Sequence, residues 1–170
     1  WSSYNMEKEK FEDLKPYVNS MYSLNHSSEF PKIFSSSTFS NSNIFTCNEN
    51  SYYPIIKSDR YGFFNDNEIW EKTFDMGFVG DSFTAGSCVG IKDNIISNFN
   101  KNFKKKKIVL NLGSPGSFPL LELIKLKEYI YSQSINQRPK KIYWLYYEGN
   151  DLRELKNFNK NIEKLICLII

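Results

Sequence analysis

Phe78-Val79-Gly80-Asp81-Ser82-Phe83-Thr84-Ala85-Gly86 closes an apolar segment with a Gly-Asp-Ser turn, and this run decides how the chain is read. An apolar strand that ends in such a turn delivers one hydroxyl to the mouth of a sheet. Two later segments repeat the plan. Ile108-Val109-Leu110-Asn111-Leu112 runs into Gly113, and Ile142-Tyr143-Trp144-Leu145-Tyr146-Tyr147 runs into Gly149-Asn150-Asp151. Helical spacing separates the three. Ile95, Ile96, Phe99 and Phe103 recur on one face of 91–103. Leu120, Leu123, Ile124, Leu126 and Ile130 form an apolar face behind Ser117 as a cap and Pro119 in the first turn. Strands over 74–79, 107–112 and 141–147, alternating with these helices and a third over 152–169, predict an α/β domain. Its sheet is parallel, with right-handed crossovers. Ligands bind at the carboxyl ends of strands in such sheets, and that is where the three polar turns fall.

The change of pattern near Trp70 divides the chain into an irregular amino-terminal extension, residues 1–69, and the α/β domain, residues 70–170. Charged, helix-favouring residues over 5–15, ending before Pro16, predict a short surface helix. Residues 19–51 are rich in Ser and Asn, lack periodicity and hold one short strand around 44–46. Their interspersed Phe and Tyr imply packing onto the rest of the molecule.

At 170 residues, 41% hydrophobic and 16% aromatic, the chain has enough apolar side chains for one real core, which excludes a disordered protein. A net charge of +3 gives no reason to expect a nucleic-acid or membrane-surface partner. Lys104–Lys107 and Lys140–Lys141 flank the amino ends of strands, opposite the ligand end, and read as solvated loop charge. Cys47, Cys88 and Cys167 are odd in number and widely spaced, so neither a zinc site nor a disulfide framework is expected, and Cys88 reads as a small buried side chain. The terminal Leu165-Ile166-Cys167-Leu168-Ile169-Ile170 run is shorter than the roughly 20 residues a membrane span needs. It reads as a core element cut midway. Residue 1 is Trp, no signal peptide is visible, and we expect a fragment or a processed chain.

A serine hydroxyl is a weak nucleophile until a base takes its proton, and acyl transfer needs donors aimed at the oxygen that becomes negative. Ser82 is the candidate nucleophile. The candidate donors are the amides of Ser82 and Gly113 and the carboxamide of Asn150. Glycine suits a loop that must approach substrate closely, and asparagine offers an uncharged N–H. Alone, Gly-Asp-Ser is a common turn, Gly113 a turn glycine and Asn150 a helix cap. Their shared position at strand ends gives them a chemical reading. Asp81 is expected to hold the turn by accepting from backbone amides, and the aromatic residues of the third strand to lie in the core.

These residues resemble the SGNH (GDSL-type) hydrolase superfamily. Gly80-Asp81-Ser82 is similar to its first block, Gly113 within Asn111-Leu112-Gly113-Ser114-Pro115-Gly116 to its second, and Gly149-Asn150-Asp151 to its third. Asp59-Arg60-Tyr61-Gly62-Phe63-Phe64-Asn65 also resembles an Asp-x-x-Gly-Phe-x-Asn segment of one bacterial branch linked to the cell envelope. The resemblance implies a flavodoxin-like three-layer sandwich, incomplete here at its carboxyl end. It implies Ser82 as nucleophile, with Gly113 and Asn150 completing an oxyanion hole. By that resemblance, esters are hydrolysed through an acyl-serine, without cofactor or metal, on a small-molecule or glycan ester. No nucleic acid is expected to take part, and no segment of this chain is expected to span a membrane. The family's Asp-x-x-His block, which holds the base, is expected beyond Ile170. His26, the one histidine, lies in an Asn/Ser loop before the serine and stays a second candidate, because triads are defined by geometry. O-acyl transfer to an envelope glycan and a non-catalytic binding module lacking the base are the alternative functions.

Overall fold

The structure, a computed structural model, describes residues 13–16, 38–49, 51–103, 107–132 and 134–153. These residues form an α/β fold with two small sheets. The first holds β1 (Leu14–Pro16), β2 (Asn43–Phe45) and β3 (Ile55–Lys57), with β1 parallel and β3 antiparallel to β2. The second is the parallel sheet expected from the three apolar runs. It contains β4 (Met76–Gly80), β5 (Val109–Gly113) and β6 (Ile142–Leu145) in the order β5-β4-β6. Helix α1 (Ser82–Ala85) follows β4, α2 (Ile95–Lys101) leads towards β5, and α3 (Pro119–Ser132) joins β5 to β6. Short 3-10 turns cover Asn67–Glu71 and Ile135–Gln137. No helix of the described residues is long and apolar enough to cross a membrane.

Alternation along β4 supplies two cores. Met76 and Phe78 join Ile96 of α2 and Val109, whereas Val79 joins Leu110, Leu112 and the α3 residues Leu126 and Tyr129. Period-2 side-chain direction therefore sends opposite faces of one strand to different helices. Trp70 is the hub of the second core, edge-on to Tyr61, Phe74 and Tyr129 at centroid distances of 4.5, 6.0 and 5.4 Å.

Several expected boundaries move. The helix read over 91–103 begins only at Ile95, because the Asn94 side chain caps it by accepting from the Ser97 amide at 2.7 Å. Ile95, placed on its apolar face by spacing, is exposed, while Ile96 is buried. Of the stretch 5–15 expected as a helix, Leu14 and Lys15 are instead in β1, where Leu14 is buried and the ladder to β2 outweighs local propensity; residues 5–12 lie outside the described residues. The strand expected at 44–46 is β2, one residue earlier. The aromatic residues expected in the core here are exposed, Tyr143 and Trp144 at about 40% in β6, which has β4 on one side only among the described residues, and Tyr146 and Tyr147 at 50% and 47% beyond its end. Of the helix expected over 152–169, residues 152–153 are helical and the remainder lies outside the described residues. The terminal apolar run also lies outside them. Lys107 and Lys140 come within 3.9 and 3.8 Å of Asp75, at the amino end of β4.

The expectation of unpaired cysteines is corrected. Cys47 and Cys88 form a disulfide, with Cα atoms 4.9 Å apart across a sequence separation of 41. Folding brings the loop after β2 against the turn after α1, a proximity that spacing does not reveal. Cys88 is thus a half-buried half-cystine, and Cys167 lies outside the described residues. Replacing both cysteines of the pair by Ser is expected to lower stability by about 2–4 kcal/mol. Urea unfolding of the double variant against the oxidised protein measures this.

Asp59 closes the loop before β4. It is fully buried and accepts from the Tyr61 and Phe63 amides at 2.9 Å each, from Asn65 Nδ2 at 2.8 Å and from Trp70 Nε1 at 3.0 Å. Asp59→Ala leaves the buried Phe63 amide and Trp70 Nε1 without this acceptor and removes one bond each from the Tyr61 amide and Asn65 Nδ2, and a loss of about 3 kcal/mol is expected. The same unfolding experiment tests it, with Asp66→Ala as an exposed control.

Candidate functional site

Three loops leave the carboxyl ends of β4, β5 and β6, and they carry the residues singled out by the sequence. At the end of β4, Gly80 pairs with Gly113 across the ladder. A Cβ on Gly80 would stand 2.7 Å from the Leu145 carbonyl oxygen and one on Gly113 2.1 Å from the Ala85 nitrogen. Both positions are closed to any side chain, and this lets α1 sit directly on β5.

Asp81 caps α1 as expected. Its Oδ1 accepts from the Phe83 amide at 2.9 Å, and its Oδ2 accepts from Asn150 Nδ2 at 3.1 Å. This second bond spans 69 residues and docks the loop after β6 onto the serine turn. Ser82 is half-buried and lines a cavity of about 170 Å³. Among the described residues its hydroxyl has no hydrogen-bond partner. His26 lies outside the described residues, which hold no histidine. A larger cavity of about 330 Å³ lies along the free edge of β5 and includes Asn65, Ile96 and Asn111 but not Ser82.

Ser82 and Asn150 are therefore both tied to Asp81, one through the chain and one through a hydrogen bond. Gly113 is placed beneath α1, but its amide is already engaged, donating to Asn111 Oδ1 at 2.9 Å. Farther along the same loop, Gly116 holds φ +66 in a turn closed by the Ser117 amide on the Ser114 carbonyl at 3.1 Å. The Gly116 amide donates to no partner among the described residues. Of the two glycine amides, that of Gly116 is the one with no acceptor among the described residues.

Behind the loops lies a polar seam that the apolar spacing of α3 did not predict. The face expected to be buried was Leu120, Leu123, Ile124, Leu126 and Ile130. Among the described side chains the buried residues are Leu121, Glu122, Lys125, Leu126 and Tyr129; Leu120, Leu123 and Ile124 are half-buried, and the Ile130 side chain lies outside them. Ser117 does not cap the helix backbone; its hydroxyl donates to Glu122 Oε1 at 3.0 Å, while Trp144 Nε1 donates to Glu122 Oε2 at 2.6 Å. Lys125 Nζ donates to Ser114 Oγ. The helix is rotated to place these two polar side chains under the loops after β5 and β6. No period of apolar residues signals this, since the seam substitutes hydrogen bonds for apolar contact.

Burial pushes the Glu122 carboxyl up to about 7, against its two donors and with the Asp151 and Asp81 carboxylates adding to the rise. Burial lowers Lys125 to about 8, opposed by Glu122 and Glu128. Asp151 is raised by burial and by Asp81, although its Oδ2 accepts from the Tyr147 amide at 2.7 Å. Its Oδ1, and Oδ1 of Asn150, are buried without a hydrogen-bond partner among the described residues.

Cys47, Cys88 and Glu49 bring ligand-type atoms within 4.8 Å of one another, but both sulfurs are committed to the disulfide. No protein-family model matches the chain, and neither a curated protein nor a solved structure matches it.

A carboxyl raised from 4.5 to about 7 binds more protons in the folded than in the unfolded chain across that window. Its contribution to stability therefore falls as pH rises from about 4.5 to 7, by at most about 1.4 kcal/mol per unit. Unfolding midpoints taken from pH 5 to 8 are expected to decline more steeply in the parent protein than in Glu122→Gln, which cannot ionise.

Proposed function

We propose that this chain carries the acyl-transfer site of an SGNH (GDSL-type) serine esterase, built on a flavodoxin-like three-layer sandwich. The observation that carries this reading is the hydrogen bond from Asn150 Nδ2 to Asp81 Oδ2. It joins the third polar strand end to the first, beside a serine hydroxyl with no partner among the described residues. In the proposed reaction Ser82 Oγ attacks the ester carbonyl carbon and its proton passes to a histidine base. The carbonyl oxygen takes up the negative charge as the Oγ–C bond forms. The C–O bond to the alcohol then breaks, and the alcohol leaves with the proton. Water repeats the cycle, releasing the acid and restoring the hydroxyl.

The Ser82 amide, the Asn150 carboxamide and an amide of the 113–116 loop are the proposed oxyanion donors. Gly116 takes the place expected of Gly113, whose amide is held by Asn111. Such donors act by being preorganised where charge develops, and losing one costs about 10²–10³ in turnover. Asp81 positions Asn150 and the turn rather than moving protons.

A fluorophosphonate probe applied to the full-length protein is expected to label Ser82, and Ser82→Ala to abolish labelling. Asn150→Ala is expected to reduce ester turnover by about a hundred- to a thousandfold with the fold kept, and to lower stability by about 1–3 kcal/mol through the bond lost to buried Asp81. Absence of labelling in a folded, disulfide-intact sample would overturn the reading.

A further inference from the structure

The cavity beside Ser82 has mainly apolar walls, and its assignment rests on the esterase reading. Phe83, Val89, Ile95 and Cys88 of the disulfide line it together with Ser82, and Glu49, Ser87, Asp93 and Asn94 are the other polar residues of the lining. Phe83 and Ile95 are 53% and 43% exposed, although each is a large apolar side chain next to this space. Exposed apolar residues gathered round a concave site are a binding surface by default. No Lys or Arg of the described residues lines the cavity.

We infer that this cavity receives the acyl chain of uncharged, short aliphatic esters. A volume of about 170 Å³, at roughly 30 Å³ per water-sized group, holds about six non-hydrogen atoms, which corresponds to acyl chains of about four to six carbons. An acetyl group leaves most of the wall in water. A decanoyl chain outruns it and leaves methylenes outside. The Glu49 and Asp93 carboxylates repel an acyl group that ends in its own carboxylate, and the lining offers it no cation to pair with. The covalent step is that of the proposed esterase: the acyl carbon bonded to Ser82 Oγ places its chain against Val89 and Ile95.

The test is a chain-length series on the full-length protein, using p-nitrophenyl acetate, butyrate, hexanoate, octanoate and decanoate, with a succinate half-ester as the charged probe. kcat/KM is expected to peak at butyrate or hexanoate, to fall at least roughly tenfold by decanoate, and to be lower for the succinate half-ester than for butyrate. Val89→Trp fills the cavity and is expected to depress butyrate and hexanoate roughly tenfold more than acetate. Ile95→Ala, at an exposed position that folding tolerates, is expected to move the optimum to a longer chain. A flat profile, an optimum at decanoate, or a preference unchanged in both variants overturns the acyl assignment. If Ser82 still reacts with the fluorophosphonate probe in that case, the esterase reading survives it. Loss of both labelling and hydrolysis overturns the two together.

Discussion

Asp59 accepts four internal hydrogen bonds, and the geometry at the carboxyl end of the parallel sheet is built outward from it. One donor, Asn65, also grips the edge of that sheet: its Oδ1 accepts from the Asn111 amide at 2.9 Å while its Nδ2 donates to the Asn111 carbonyl at 3.0 Å. An asparagine side chain thus stands in for a neighbouring strand at that point of β5. Asn111 passes the constraint on. Its Oδ1 accepts from the Gly113 amide, and its Nδ2 donates to the Ala85 carbonyl at 3.2 Å, at the end of the helix that starts with Ser82. Buried polar chains of this type are rigid when every member is satisfied and costly when one is lost. The segment before the sheet therefore does more than cover it, since it sets the relation between the serine turn and the loop after β5.

The seam of α3 works on the other side of the same loops. Glu122 ties Ser117 to Trp144, and Lys125 holds Ser114, so the ends of β5 and β6 are referenced to one helix. Apolar residues at these positions would pack with less desolvation cost, as buried charge is a poor source of stability. What the seam supplies is position. Hydrogen bonds have direction, and they fix the two loops relative to each other in a way that methyl contacts do not. Asp151 and Asp81 raise the Glu122 carboxyl further, and Glu122 with Glu128 opposes the lowering of Lys125 by burial.

The parallel sheet was legible because β4, β5 and β6 are apolar runs, each followed by a glycine-containing turn. The places of Asp81 and Ser82 just after β4 and of Asn150 after β6 were legible for the same reason: strand ends are where an apolar pattern stops and a polar residue stands out. The Asp59–Asn65 segment was legible only as a resemblance. Its physical basis, a carboxylate saturated by loop donors and an asparagine clipping a strand edge, depends on contacts across 46 residues. β1 was misread because three residues of strand have no period of their own, and pairing with β2 decides their conformation. The buried face of α3 was misread because polar side chains satisfied by partners from other loops leave no mark on the hydrophobic pattern. Gly113 ends β5 and Gly116 lies in the turn three residues on, a difference of backbone and amide use that the sequence does not show.

The Cys47–Cys88 link has a consequence for how the molecule matures. Two electrons and two protons must leave these thiols before the Cys88 wall of the space next to Ser82 is tied to the loop after β2. Chain collapse alone delivers the serine turn; an external oxidant, through thiol exchange, delivers the boundary beside it. A newly made chain held under reducing conditions would carry two free thiols at that boundary, so the redox history of a preparation becomes part of its chemical identity.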